Sequence, residues 1–97
     1  MKVTVERLPQ STVRLDIAAD QEEFDEAVER AFRRISQRIQ VPGFRPGRAP
    51  RPLVERRVGR EYILAEAQRE LMDRLYREAL QQHGLVPVSD PQVEVYQ

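Results

Sequence analysis

The sequence contains no cysteine, which excludes disulfides, thiolate metal sites and cysteine nucleophiles. Its one histidine, His83, precedes Gly84 at the end of a predicted helix, a place where an imidazole meets exposed carbonyls rather than a metal or a substrate. Ser11, Ser36 and Ser89 have no histidine-and-acid constellation to activate them. The carboxylates Glu22, Glu23, Asp25 and Glu26 are spaced around all sides of a helix, which suits solvation and the helix dipole rather than a metal cage. Long apolar runs are also missing. None approaches the roughly 20 residues of a membrane span, and the start, MKVTVERLPQ, is charged and alternating where a signal peptide has an apolar core. These absences predict a cytoplasmic chain with no catalytic site, no metal or other cofactor, and no membrane partner.

Net charge is absent too, but only in total. Residues 1–29 carry three basic groups against eight acids, a net of −5, and residues 61–97 carry three against seven, a net of −4. Residues 30–60 hold ten arginines (Arg30, Arg33, Arg34, Arg38, Arg45, Arg48, Arg51, Arg56, Arg57 and Arg60) against Glu55 alone, a net of +9. Arginine presents a planar fork of donors that matches phosphate oxygens, so a basic centre suits a phosphate-bearing partner. The alternative is a solvated surface whose arginines pair with the acidic thirds on folding.

With 97 residues the chain suffices for one domain with one core. Val3 and Val5, then Val13, Leu15 and Ile17, alternate with polar residues on either side of LPQS and predict a β-hairpin. Asp20 followed by Glu23 has the form of a capping box. The stripe Phe24, Ala27, Val28, Ala31, Ile35, Ile39 then predicts an amphipathic helix whose opposite face carries Arg30, Arg33, Arg34 and Arg38. PLVERRVG reads as a short helix entered at Pro50 or Pro52 and broken at Gly59. A long helix over 62–83 follows, with Ile63, Leu64, Ala67, Leu71, Leu75 and Ala79 on one stripe, Met72, Tyr76 and Leu80 beside it, and Gly84 as its left-handed cap. The tail PQVEVYQ alternates like one more strand and stops without a turn signal, as a domain excised from a longer chain would. The expected fold class is α+β: a small antiparallel sheet packed in two layers on a long antiparallel helix pair.

The stretch VPGFRPGRAP, residues 41–50, cannot continue a helix and falls at the tip of that pair, far from the strands. Pro46 and Gly47 fit the central positions of a type II turn, and the residue before a proline is biased to extended backbone, so Phe44 and Arg45 project from a stiff tip. Such a ring between guanidiniums suits a surface that offers a pocket together with phosphates, as a ribonucleoprotein does. The competing reading makes Phe44 a staple that tucks the loop against the helix ends.

The order GFRPGRAP matches G-F-R-x-G-x-x-P and resembles the signature loop in the N-terminal domain of the trigger factor family of bacterial chaperones; the resemblance extends over the whole chain. It implies a ribosome-binding domain that docks on the large subunit beside the nascent-chain exit tunnel. Its partners would be an exit-tunnel ribosomal protein, 23S rRNA and nascent polypeptides. The site would comprise Gly43, Phe44, Arg45, Pro46, Gly47, Arg48 and Pro50, with Phe44 and Arg45 as central contacts and Arg38 and Arg51 as accessory rRNA contacts. Pro46 departs from the family's FRK form and forfeits a positive charge that Arg48 would restore. The family's isomerase and C-terminal substrate-cradling domains have no counterpart in these residues.

Two further readings stand beside this one. A sequence-independent RNA binder would use the basic centre, but three Phe and three Tyr, spaced as core residues, make a poor stacking platform. A weak homodimer would pair the wide apolar stripe of the long helix with a second copy, or use an open sheet edge.

Overall fold

Residues 1–10 and 12–85 are described by the computed structural model. The alternating start forms β1 (Lys2–Leu8) and β2 (Thr12–Ala18), paired antiparallel with Val3 opposite Ile17 and Val5 opposite Leu15. Both pairs lie on one face, since side chains alternate with period two. That face is half-buried, with Ile17 and Met1 packed against the helical core.

Asp20 starts α1 (Gln21–Arg38) with a complete capping box: the Glu23 N–H donates to the Asp20 carboxylate at 2.8 Å, and the Asp20 N–H donates to the Glu23 carboxylate at 3.1 Å. Two backbone N–H donors at the helix entry are satisfied in this way. The Met1 ammonium also sits 2.9 Å from Glu23, so the hairpin's first residue is tied to the helix cap. That hydrogen bond, followed by the one from the Asp20 N–H, holds the Glu23 carboxyl below the ordinary carboxylate range.

Past the loop come α2 (Arg51–Val58) and α3 (Arg60–Gln82), separated by Gly59 at φ 88°, a left-handed backbone that glycine accepts without steric cost. The end of α3 is a Schellman motif: the Leu85 N–H donates to the Leu80 carbonyl at 2.9 Å, and Gly84, at φ 63°, donates to Gln81 at 3.4 Å.

Ala27, Ala31 and Ile35 of α1 pack on Ile63, Ala67, Leu71 and Leu75 of α3. The helices run antiparallel, since Arg30 reaches Glu70 and Arg34 reaches both Glu66 and Glu70. Fully buried alanines on both sides let the axes approach closely, while Leu75, 1% exposed, contributes about 1.5–3 kcal/mol by burial. The predicted stripes therefore supply most of the core, with Leu64 half-buried and outside it. The hairpin lies against one end of the pair and the loop 41–50 occupies the other, along a molecule 58 × 25 × 19 Å. This is the expected two-layer α+β arrangement. The expected tail strand lies outside the described residues.

The expected placement of four arginines opposite the apolar stripe of α1 needs correction. Only Arg33 stands opposite. Arg30 and Arg34 flank the stripe and engage Glu70 at 3.0 and 2.9 Å, because at 100° per residue they fall beside the core positions and α3 supplies a carboxylate there. Arg38 lies two turns on from Ala31, toward the apolar side, beyond the last core alanine.

Candidate docking site

The loop is built from two successive turns of the same chemistry. In Val41-Pro42-Gly43-Phe44 the Phe44 N–H donates to the Val41 carbonyl at 3.1 Å; in Arg45-Pro46-Gly47-Arg48 the Arg48 N–H donates to the Arg45 carbonyl at 2.9 Å. Proline at the first central position and glycine at the second, with φ 86° at Gly43 and 81° at Gly47, define type II turns. The sequence pointed to the second, and the first repeats its dipeptide. Gly47 also donates to the Ser36 carbonyl at 3.1 Å and lies against the Gln37 amide, which a Cβ would approach to 2.9 Å. This stitches the loop to the last turn of α1. Pro50 closes the segment as the N-cap of α2, its carbonyl accepting from Leu53 and Val54.

Between the turns, Phe44 is 41% exposed. It is not among the apolar residues packed on the core, which favours display over the staple. Arg45 and Arg48 are exposed on either side, as are Gly43, Pro46, Pro50 and Arg38. None of Arg38, Arg45 and Arg48 makes an ion pair with a described residue. An apolar ring among uncompensated guanidiniums, on a backbone with little freedom left to lose, has the shape and charge that suit contact with a partner surface. Among the described residues no group of His, Cys, Asp and Glu could hold a metal, and no helix is long and apolar enough to cross a membrane.

The family model described as bacterial trigger factor protein matches residues 1–97. The chain belongs to the trigger factor family. It is similar to a trigger factor from Thermomicrobium roseum, 84% identical over 97 residues, and to one from Carboxydothermus hydrogenoformans, 48% identical over 95 residues. These alignments take in 100% and 98% of the chain but 20% and 22% of those proteins. The chain thus spans about one fifth of the length of the curated relatives it matches. A solved structure described by the interactions between trigger factor domains from Thermotoga maritima superimposes with a TM-score of 0.70 at 27% identity, covering all of this chain and 90% of that one.

Arg51, the other residue expected as an accessory contact, is placed differently from Arg38. Its guanidinium donates to Glu29 at 2.6 Å and to Glu55 at 3.1 Å, and lies 4.7 Å from the centre of the Phe32 ring. Those two carboxylates, Glu29 first, hold the guanidinium above its ordinary pKa. Since Arg51 opens α2 while Glu29 and Phe32 lie back along α1, the contact ties the start of α2 to α1 and brackets the loop.

Sequence reasoning left several residues unassigned. Arg33, Arg56, Arg57 and Arg60 are exposed and make no ion pair with a described residue. Tyr62, expected among core aromatics, is 52% exposed. The signal was its position one residue before Ile63, off the buried stripe, directly after the basic run Arg56 to Arg60.

Proposed function

We propose that this chain is the ribosome-docking domain of a trigger factor chaperone in the bacterial cytoplasm. It holds the longer protein on the large subunit beside the exit tunnel, where newly made polypeptides emerge. The observation that carries this reading is the rigid loop that displays Phe44 between Arg45 and Arg48. Phe44 enters an apolar pocket on a ribosomal protein, while Arg45, Arg48 and Arg38 face rRNA phosphates; Gly43, Pro46, Gly47 and Pro50 hold the loop's shape. Arg48 replaces the charge forfeited at Pro46. Arg51 acts through the loop's frame, since its charge is already compensated. No catalytic role is assigned to this chain.

Co-sedimentation with purified bacterial large subunits at two salt concentrations tests the proposal, with naked RNA as a control. Phe44→Ala is expected to cost roughly 2 kcal/mol of binding, as a buried interface anchor does, and Phe44→Ala with Arg45→Ala to abolish saturable binding. Three arginines on phosphates give a log–log salt slope of roughly −2, which Arg48→Ala should make shallower. Equal binding by wild type and double mutant would sink the proposal.

A second reading, sequence-independent RNA binding, is favoured by the seven arginines of residues 30–60 that lack an ion pair with described residues; equal affinity for naked RNA and for subunits would select it. Self-association through α3 has less support, because Ile63, Ala67, Leu71 and Leu75 are already buried against α1.

A further inference from the structure

At the loop end of the molecule, α1 and the α2–α3 junction leave a shallow groove. Ile35, Ile39 and Val58 form its floor, and Arg38, Tyr62 and Glu66 stand on its rim together with Arg34. Arg34 is held by Glu70 at 2.9 Å, and Glu66 by Arg69 at 2.6 Å. The rim groups left to a partner are therefore Arg38, which has no ion pair with a described residue, and Tyr62. At 52%, Tyr62 is more exposed than Phe44 at 41% and Leu8 at 37%. Arg57 and Arg60, either side of the Gly59 junction, add exposed positive charge to the same end.

These features constrain the occupant by elimination. A phosphate alone would use Arg38 and leave the ring and the apolar floor unmatched. An apolar side chain from a protein would match the floor and leave a cluster of uncompensated guanidiniums beside it. A nucleotide uses both parts, because its base has a flat face that stacks on an aromatic ring and its sugar carries a phosphate that pairs with a guanidinium. The base must be unstacked, since inside a duplex its faces are covered by its neighbours.

We propose that this groove takes one unstacked nucleotide of an RNA loop or single strand, its base against the Tyr62 ring and its phosphate on Arg38. The proposal rests on the reading that this end of the domain faces the ribosome, and it adds a second anchor beside the signature loop.

Two measurements test it independently. Tyr62→Trp gives the chain its one tryptophan at an exposed position that leaves the core untouched. Titration with an oligouridine of about eight nucleotides should quench its fluorescence saturably, and Arg38→Ala in that background should weaken the quenching. Co-sedimentation with large subunits should then show Tyr62→Ala weakened by about fivefold to a hundredfold, the range for loss of one base–aromatic stack. Tyr62→Phe should stay near wild type and Tyr62→Leu should be as weak as Ala. Circular dichroism melting checks that each variant is folded.

Full binding by Tyr62→Leu would overturn the proposal by showing an apolar protein contact. Absence of quenching together with unchanged binding by Tyr62→Ala would overturn it outright, while loss of binding on Phe44→Ala with Arg45→Ala would still uphold the docking reading. Conversely, Tyr62-dependent quenching by a chain that does not bind subunits would uphold the groove and remove the docking reading.

Discussion

Arg51 lies in the basic centre of the sequence, yet its guanidinium is shared between Glu29 and Glu55 and laid over the Phe32 ring. The two possible roles for it predict opposite signs at Glu29. As a clamp between α1 and α2, Arg51 and Glu29 act together, so Arg51→Ala and Glu29→Ala should both weaken ribosome binding while leaving the salt slope as it was. As a phosphate contact, Arg51 would bind better once the competing carboxylate was gone, and Arg51→Ala would reduce the slope by about 1. The clamp is the expected outcome. Its loss should also cost about 1 kcal/mol of folding stability, since an exposed ion pair and an exposed cation–π contact each contribute a fraction of that. Binding isotherms at several salt concentrations, with thermal melts of both variants, decide it. The sequence could not separate Arg51 from Arg38 or Arg48, because the partners that absorb charge are remote along the chain. Arg51 finds Glu29 across 22 positions and Arg30 finds Glu70 across 40.

Elements were far more legible than pairings, because their signals are local. Asp20 and Glu23 announce the start of α1, and the box forms as written. Asp20→Ala should cost about 1 kcal/mol, measurable by urea titration. Pro-Gly pairs at 42–43 and 46–47 both make turns in the loop; the sequence points to the second, and the first is its repeat. What the dipeptides could not reveal is the stitch from Gly47 to Ser36, which fixes the turn against α1. Gly43→Ala and Gly47→Ala each force a side chain into left-handed backbone, at about 1–2 kcal/mol. The extra crowding at Gly47 falls on the far end of the flexible Gln37 side chain, which can swing aside. The two variants should therefore lose similar stability. If Gly47→Ala proves much worse and Gln37→Ala rescues it, the Gln37 contact is rigid and the loop is wedged rather than merely turned.

Across the whole molecule, two charge blocks of the sequence become ends. The basic centre folds into the loop, α2 and the second half of α1, and the acids at the start of α1 lie beside the hairpin, whereas at the end of α3 Asp73 and Glu78 are offset by Arg77 and Arg74. With a length of 58 Å and a Debye length of about 8 Å at physiological salt, the acidic end does not screen the basic one. Between them, Glu70 joins α3 to α1 through Arg30 and Arg34. The hydrogen bond from Arg34, and then that from Arg30, lowers the pKa of its carboxyl against the opposing effect of burial. A folded-state pKa below the unfolded one means stability that is complete above the ordinary carboxylate value and lost as pH falls through the folded value. Glu70→Gln removes that contribution at every pH and leaves Arg30, whose Nη2 is already buried without a hydrogen-bond partner, without its carboxylate. Near pH 7 the variant should be less stable by about 1 kcal/mol. On titration from about pH 5 to about pH 3 the gap to wild type should close, because wild type alone then protonates this carboxylate. Thermal melts of both proteins across that range measure the gap directly. A gap that stays constant to the acid limit would place the loss in side-chain packing and not in the Arg30–Glu70–Arg34 charge bridge.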